Sequence, residues 1–449
     1  MPELHPADAR AWLDTHMNLE RMVGVPAGST RRMAPQPLSR MASLIELLGS
    51  PQLQYPAIHV TGTNGKTTVA RMITALLVVD GLSVGTDTSP YLERFNERMS
   101  WNGEPIPDDE LDRILVHIAT LEELLDDRPS YFEIIHGAAL EWFADVAVDV
   151  AVIEVGLGGL WDATNVVDGQ IAVVTNVELD HVEYLGNSRE SIAREKAGIV
   201  KPGAVLVLGE TDPELVPIFE APGPEGTILR DRDFWVGSNR IAVGGRVIEL
   251  VTPYGKSRDV FLPLHGAHQA DNAAIALAAA EAFLGRALDD SVVSEAFASV
   301  TSPGRLEVVG HEPLVVIDGT KNVAGAHAVR AALDEEFPAT GDASPGVEVR
   351  RTWVLGILQQ KDAFEMLDAL GVRAGDRVVA TRAEIPRARE PQEIADAARE
   401  LGVDAADVET VDAVADAVRR AIDASGPTDQ VVIAGSLYVA GPARAALIR

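Results

Sequence analysis

Between residues 57 and 77 the chain reads AIHVTGTNGKTTVARMITALL: an apolar pentapeptide, a glycine-bracketed turn closing on Gly-Lys-Thr, and an amphipathic helix. No other stretch constrains the fold as much. A buried strand that turns tightly into a helix commits the chain to a βα unit, and such units build parallel sheets covered by helices. In a turn of this kind the backbone N–H groups face an anion, a lysine neutralises it, and the next hydroxyl is placed for a divalent cation. Gly62, Thr63, Asn64, Gly65, Lys66, Thr67 and Thr68 are therefore the candidate phosphate-binding residues, with Lys66 as the cationic ligand and Thr67 as a Mg²⁺ ligand. The usual pattern has one more glycine five positions before Gly65, where this chain has Val60, so the alternative is a plain strand-to-helix turn.

The rest of the chain repeats the same alternation. VDVAVIEV (148–155), QIAVVTNV (170–177) and AVLVLG (204–209) read as further buried strands, the stretch from about 228 to 262 as glycine-turned hairpins on the sheet margin, and GAHQADNAAIALAAAEAF (266–283) as a helix. TSPGR (301–305) breaks the series, and LVVID (314–318), RTWVLGI (351–357), RVVAT (377–381) and QVVIAG (430–435) open a second one. The expected architecture is α/β: a mostly parallel sheet domain with a P-loop and a small β-rich margin over residues 1–300, and a smaller Rossmann-like α/β domain over 301–449.

With 68 acidic against 38 basic residues, a net charge of −30, the chain lacks the clustered cations that a nucleic-acid or anionic-membrane surface needs. Any anionic ligand must be held locally. There is no cysteine, which excludes disulfides, thiolate metal sites and thiol nucleophiles. MPELHPADAR carries no basic start followed by an apolar run, and no long uncharged apolar stretch follows, so a cytoplasmic protein is expected. Acidic helices such as PDDELDRILVHIATLEELLDD (107–127) read as solvated faces.

The short form GTNGKT resembles the Mur ligases, ATP-dependent acid–amino acid ligases. EVGLGGLWDATN (154–165), ELDHVEYLG (178–186), REKAGIVKPG (194–203), HGAHQADNAAIA (265–276), SPGRLE (302–307) and AGSLYVAG (434–441), with LGSPQLQYP (48–56) leading in, narrow the resemblance to the dihydrofolate synthase/folylpolyglutamate synthase family, in its order along nearly the whole chain. The resemblance implies Mg²⁺, as two ions, held by Thr67, Ser89, Glu154 and His181, with ATP as co-substrate. Glu154 also stands on its own, since an acid ending a buried strand needs a partner, a proton or a metal; a helix-capping role is the alternative. A lone His181 reads equally as a packing residue, and Lys196 in REKAG as a solvated charge. The resemblance instead makes Lys196 an N6-carboxylysine beside His181, and the catalytic set Lys66, His181 and Lys196.

It further implies that Asn272 contacts the adenine side of ATP, that Arg305 reaches the phosphates and that Asp318 contacts the nucleotide. Asn272 otherwise reads as a satisfied buried amide in an alanine-rich helix. The acceptor pocket is expected at Ser130, Tyr131, Phe132, Trp161, Asp162 and Ala163, although aromatic residues so spaced also suit a core, and Lys321 is expected near the nucleotide or the incoming glutamate. Three departures bear on the acceptor: Tyr91 stands where the family has His, Leu160 where it has Arg, and DGTKNV puts Lys321 and Val323 where it has His and Pro. The expected activity is amide formation between L-glutamate and dihydropteroate, with possible extension of reduced folates, through an acyl phosphate and by a monomer. The alternatives are a related ligase for another carboxylate or amino acid, and a non-catalytic nucleotide-binding homologue.

Overall fold

The computed structural model describes residues 5–18, 38–338 and 349–448. The first four residues of MPELHPADAR lie outside the described residues. The chain divides into two compact units: residues 1–240, 247–262 and 270–300, and residues 241–246, 263–269 and 301–449. The segments 241–246 and 263–269, which a linear division at 300 assigns to the first domain, group with the second unit.

The first unit carries eight strands: β1 (Ala57–Thr61), β2 (Val84–Asp87), β3 (Met99–Trp101), β4 (Glu104–Pro105), β5 (Val150–Glu154), β6 (Gly169–Val174), β7 (Val205–Leu208) and β8 (Gly226–Leu229). They lie in the order β4-β3-β2-β5-β1-β6-β7-β8. The six from β2 to β8 in that order are parallel, and β3 and β4 add an antiparallel edge. Every residue of β1 and β5 is buried, which is why they read as continuous apolar runs rather than alternating ones. One apolar cluster under β1 and β5 packs Tyr131, Ile134, Ile135 and Ala138 of the helix Tyr131–Asp145. A second packs Val174 and Leu206 against Ile192 and Ala193 of the helix Arg189–Ala197.

The hairpin region forms β9 (Trp235–Ala242), β10 (Gly245–Val251) and β11 (Lys256–Leu262), a separate three-stranded sheet. The second unit holds β12 (Glu307–His311), β13 (Leu314–Ile317), β14 (Arg351–Leu355), β15 (Arg377–Ala380), β16 (Val408–Thr410) and β17 (Gln430–Ala434). Their order is β12-β13-β17-β14-β15-β16, parallel except for β12.

In open sheets of this kind ligands collect beyond the carboxyl ends of the strands, where connections leave in opposite directions. In the first sheet β1 has β5 on one side and β6 on the other. The segments that follow β2, β5, β1 and β6 therefore emerge side by side, and they contain the predicted metal and phosphate residues.

Candidate active site

Val60, at the position of the expected outer glycine, is a fully buried strand residue whose register partner on β5 is Glu154. The loop starts later than in the longer pattern, after Thr61. Gly62 has φ +150°, and a Cβ there would stand 1.8 Å from Thr175 Oγ1. Gly65, with φ +83°, caps the helix Lys66–Val79, and a Cβ on it would meet Asn272 Oδ1 at 2.6 Å. Both positions require glycine, one through close approach and the other through the left-handed backbone as well. The turn is braced by the segment after β6. Asn64 N–H donates to Asn176 Oδ1 (3.0 Å), Asn64 O accepts from Thr175 Oγ1 (2.6 Å) and Asn176 Nδ2 (3.0 Å), and Thr63 N–H donates to Asn176 O (3.0 Å). Lys66 Nζ lies over the turn, donating to Gly62 O at 2.9 Å.

Thr67 Oγ1, in the first turn of the loop helix, is 3.0 Å from each carboxylate oxygen of Glu154, and Ser89 N–H donates to Glu154 Oε2 at 3.2 Å. Glu154 is 1% exposed. One buried carboxylate with two hydroxyl-bearing residues at its oxygens is a hard donor set, which suits Mg²⁺ because that ion retains water and phosphate oxygens in its other positions. Among the described residues no group of three or more His, Cys, Asp or Glu forms a cage that would hold the ion alone. The residues present therefore fit a metal bound together with nucleotide.

His181 heads the short helix Val182–Leu185 in a left-handed conformation (φ +50°), with its N–H donating to Asp180 Oδ1 at 2.9 Å and its ring partly exposed. A non-glycine residue held there costs about 1–3 kcal/mol and needs its surroundings to impose it. Lys196 is buried near the end of the helix Arg189–Ala197. The preceding Glu195 carboxyl is pushed above the usual range by burial, against a hydrogen bond from Trp161.

On the acceptor side, Asp162 is buried and fully engaged in ordering its own loop. Its Oδ2 accepts from Leu157 N–H (2.8 Å), and its Oδ1 from Thr164 N–H (3.0 Å) and Thr164 Oγ1 (2.6 Å). Because the Thr164 hydroxyl proton is spent on Asp162, His59 Nε2, 2.9 Å from Thr164 Oγ1, must be the donor of that contact. Ala163 opens the 3₁₀ turn Ala163–Val166 that Asp162 caps, and Trp161 packs against the cluster around Ile192. Leu160 is 53% exposed beside it. Ser130 caps the helix Tyr131–Asp145 through a reciprocal box with Glu133, which Arg40 also grips. Tyr131 is a core residue, 4% exposed, set edge-on to Phe95. Phe132 lies against Gly156, where a Cβ would come within 2.2 Å of its ring. Tyr91 is set edge-on to Phe95, with the Arg98 guanidinium 5.5 Å from its ring centre.

Asn272, 7% exposed, sits over Gly65 of the loop. In the second unit Asp318 follows β13 and accepts from Leu306 N–H (2.8 Å) and Thr320 N–H (2.7 Å). Burial pushes its carboxyl above the usual range, against the opposing pull of Arg305. Leu306, directly after Arg305, is like His181 a left-handed non-glycine residue, φ +48°. A Cβ on Gly319 would meet Leu437 at 2.3 Å and Arg305 Nη1 at 2.7 Å, so the guanidinium lies against this loop. Lys321 is half-buried, just before Asn322, whose side chain caps the helix Val323–Glu336.

Three braces escaped the sequence reading: Thr175, Asn176 and the strand β2 that delivers Ser89. The Thr-Asn pair closing the run QIAVVTNV was the available signal, since polar residues at a parallel strand's carboxyl end point at whatever lies beyond the sheet.

Residues 118–280 match the model of the Mur ligase middle domain, and residues 304–437 that of the Mur ligase glutamate ligase domain. A dihydrofolate synthase/folylpolyglutamate synthase of Mycobacterium tuberculosis is 40% identical over 91% of this chain and 89% of its own length. The solved folylpolyglutamate synthase of that organism, complexed with ADP and AMPPCP, superimposes with TM-score 0.84 at 39% identity, covering 92% of this chain and 96% of the other. A bifunctional folylpolyglutamate synthase/dihydrofolate synthase solved with Mn, AMPPNP and L-glutamate gives TM-score 0.82 at 28% identity, with 98% of each chain covered. The nucleotide loop, the buried Glu154 and these likenesses along the whole length agree: the chain belongs to the dihydrofolate synthase/folylpolyglutamate synthase family of Mur-type ATP-dependent ligases.

Proposed function

We propose that the protein condenses L-glutamate with dihydropteroate at the expense of ATP, and adds further glutamates to reduced folates, as a cytoplasmic monomer. The observation that carries this reading is the meeting of Thr67 and Ser89 at the buried Glu154, with Lys66 folded over the adjoining turn, in a chain 40% identical to a dihydrofolate synthase/folylpolyglutamate synthase. The N–H groups of Gly62–Thr68 and the ammonium of Lys66 hold the ATP phosphates; Arg305 and Asp318 are assigned to nucleotide contact on the family resemblance. Asn272 positions the loop at Gly65 and reaches the nucleotide. Thr67, Ser89, Glu154 and His181 are assigned as the residues that would hold two magnesium ions, which would supply neutralisation of the negative charge gathered at the site.

The acceptor carboxylate attacks the γ-phosphorus, giving an acyl phosphate and ADP. Lys66 stabilises the charge that develops on the phosphoryl oxygens. The neutral amine of glutamate then adds to the acyl carbon, and phosphate leaves with the C–O bonding pair. Phe132, Trp161, Asp162 and Ala163 shape the acceptor pocket, with Ser130 and Tyr131 behind them, and Lys321 holds the incoming amino acid. Lys196, buried near the end of its helix, is assigned as N6-carboxylysine on the family resemblance. Carbon-13 NMR of the folded enzyme in ¹³C-bicarbonate at neutral to mildly alkaline pH should show one carbamate carbon that Lys196→Ala lacks; its absence from the wild-type spectrum defeats the assignment.

Phosphate release that requires ATP, Mg²⁺, glutamate and dihydropteroate together is the expected result, and failure with dihydropteroate and every reduced folate overturns the reading. The exposed Leu160, standing where the family has arginine, favours one second reading: a ligase of the same mechanism whose acid has a less anionic tail. A panel of carboxylates distinguishes the two.

A further inference from the structure

Asp87 and His136 form a pair that none of the assigned roles uses. Asp87 ends β2, and His136 lies one turn beyond Phe132 in the helix Tyr131–Asp145. Each is 1% exposed, and His136 Nδ1 is in close hydrogen-bond contact with Asp87 Oδ2. Among the described residues, His136 Nε2 and Asp87 Oδ1 have no hydrogen-bond partner. Two such groups taken out of water are costly, and a structure that keeps them asks for a reason beyond packing.

Their neighbours supply it. On one side Asp87 pairs in register with Ile153, the residue before Glu154, and is followed by Thr88, whose N–H donates to Arg98 O at 2.7 Å, and by Ser89, whose N–H donates to Glu154. The same segment ends in Tyr91, set against Arg98. On the other side the His136 ring meets the Phe132 ring edge-on, 4.0 Å between centroids, and Phe132 presses on Gly156 of the loop that Asp162 orders. One directional hydrogen bond thus joins the turn beside the carboxylate Glu154 to the ring that faces the acceptor loop.

We propose that Asp87 and His136 are positioning residues for the acceptor acid, fixing the Ser89–Tyr91 turn and the Phe132 ring at one separation, so that an acid with a flat ring at one end and a carboxylate at the other is held at both. This rests on the proposed function for the nature of the acid. An imidazole–carboxylate contact does this because it fixes direction as well as distance, which two apolar side chains in the same space do not.

The test is the double variant Asp87→Leu/His136→Leu, since replacing a buried charged pair by apolar residues of similar volume commonly preserves folding. The expected result is a folded enzyme whose KM for dihydropteroate, and whose dissociation constant for it measured without ATP by fluorescence, both rise about tenfold or more, because a small misplacement is costly. KM for glutamate should stay within about twofold of wild type, since Lys321, assigned to it, is not tied to the pair. His136→Asn, whose amide nitrogen occupies the Nδ1 position, should recover most of the loss, and His136→Ala should not. These two single variants carry the comparison if the double variant does not fold. Unchanged acid affinity in a folded variant, or equal rises in both KM values, overturns the proposal. A wild-type enzyme that ignores dihydropteroate and folates fails the functional reading instead, and that is visible before any variant is made.

Discussion

Glu154 is the residue on which the chemistry depends, and its neighbours show why. A carboxylate 1% exposed is tolerated because Thr67 and Ser89 donate to it, so removing its charge leaves the fold intact while depriving the metal of its anionic ligand. Glu154→Gln should lower kcat by about a hundredfold or more while nucleotide binding persists, read from steady-state kinetics beside calorimetric titration with ADP. That residue was legible in the sequence, because an acid closing the buried run AVIE must be compensated by a partner, a proton or a metal. The Asp87–His136 contact was not, because nothing in local spacing brings together residues 49 positions apart. Histidine burial gives a second expectation. His268 is held down to about 4 mainly by desolvation, with Arg246 and Arg305 adding to the effect and Glu336 opposing it. Between its unfolded value near 6.5 and about 4 the unfolded chain binds the proton and the folded one does not, so stability falls as pH drops through that window. The slope due to this group is at most about 1.4 kcal/mol per pH unit, and His268→Asn should remove it from urea-unfolding curves.

At the scale of elements, what could be read was whatever is buried on both faces. β1, β5, β14 and β17 have all five residues buried and are mostly apolar, and each coincides with an expected strand. β2 and β16 were not legible: VGTD and VET are too short and too polar to declare a strand, and they exist because a neighbour in the sheet offers its edge. The helix Tyr131–Asp145 shows the same limit from the other side. SYF looked like a ring-binding stretch, yet Ser130 is spent on the helix cap and Tyr131 on the core, leaving Phe132 at the loop. Ser130→Ala should therefore lower stability by about 1 kcal/mol in thermal or urea unfolding, and leave KM for the acid unchanged.

At the scale of the whole molecule, a net charge of −30 acts on a chain whose compact state crowds those charges together. Raising the ionic strength from about 20 to about 150 mM shortens the Debye length from roughly 20 to 8 Å, so the melting temperature should rise with salt rather than fall. Calorimetry at several NaCl concentrations checks the sign. No described helix is long and apolar enough to cross a membrane.

The order of the second sheet has a consequence for how the protein is made. β17, the last strand in the chain, lies between β13 and β14, pairing with both. As the chain is synthesised, β13 and β14 emerge with facing edges that have no partner until β17 leaves the ribosome. The second unit can close only once β17 has been made, so its open edges are exposed to aggregation while the intervening chain is synthesised and are natural substrates for a chaperone.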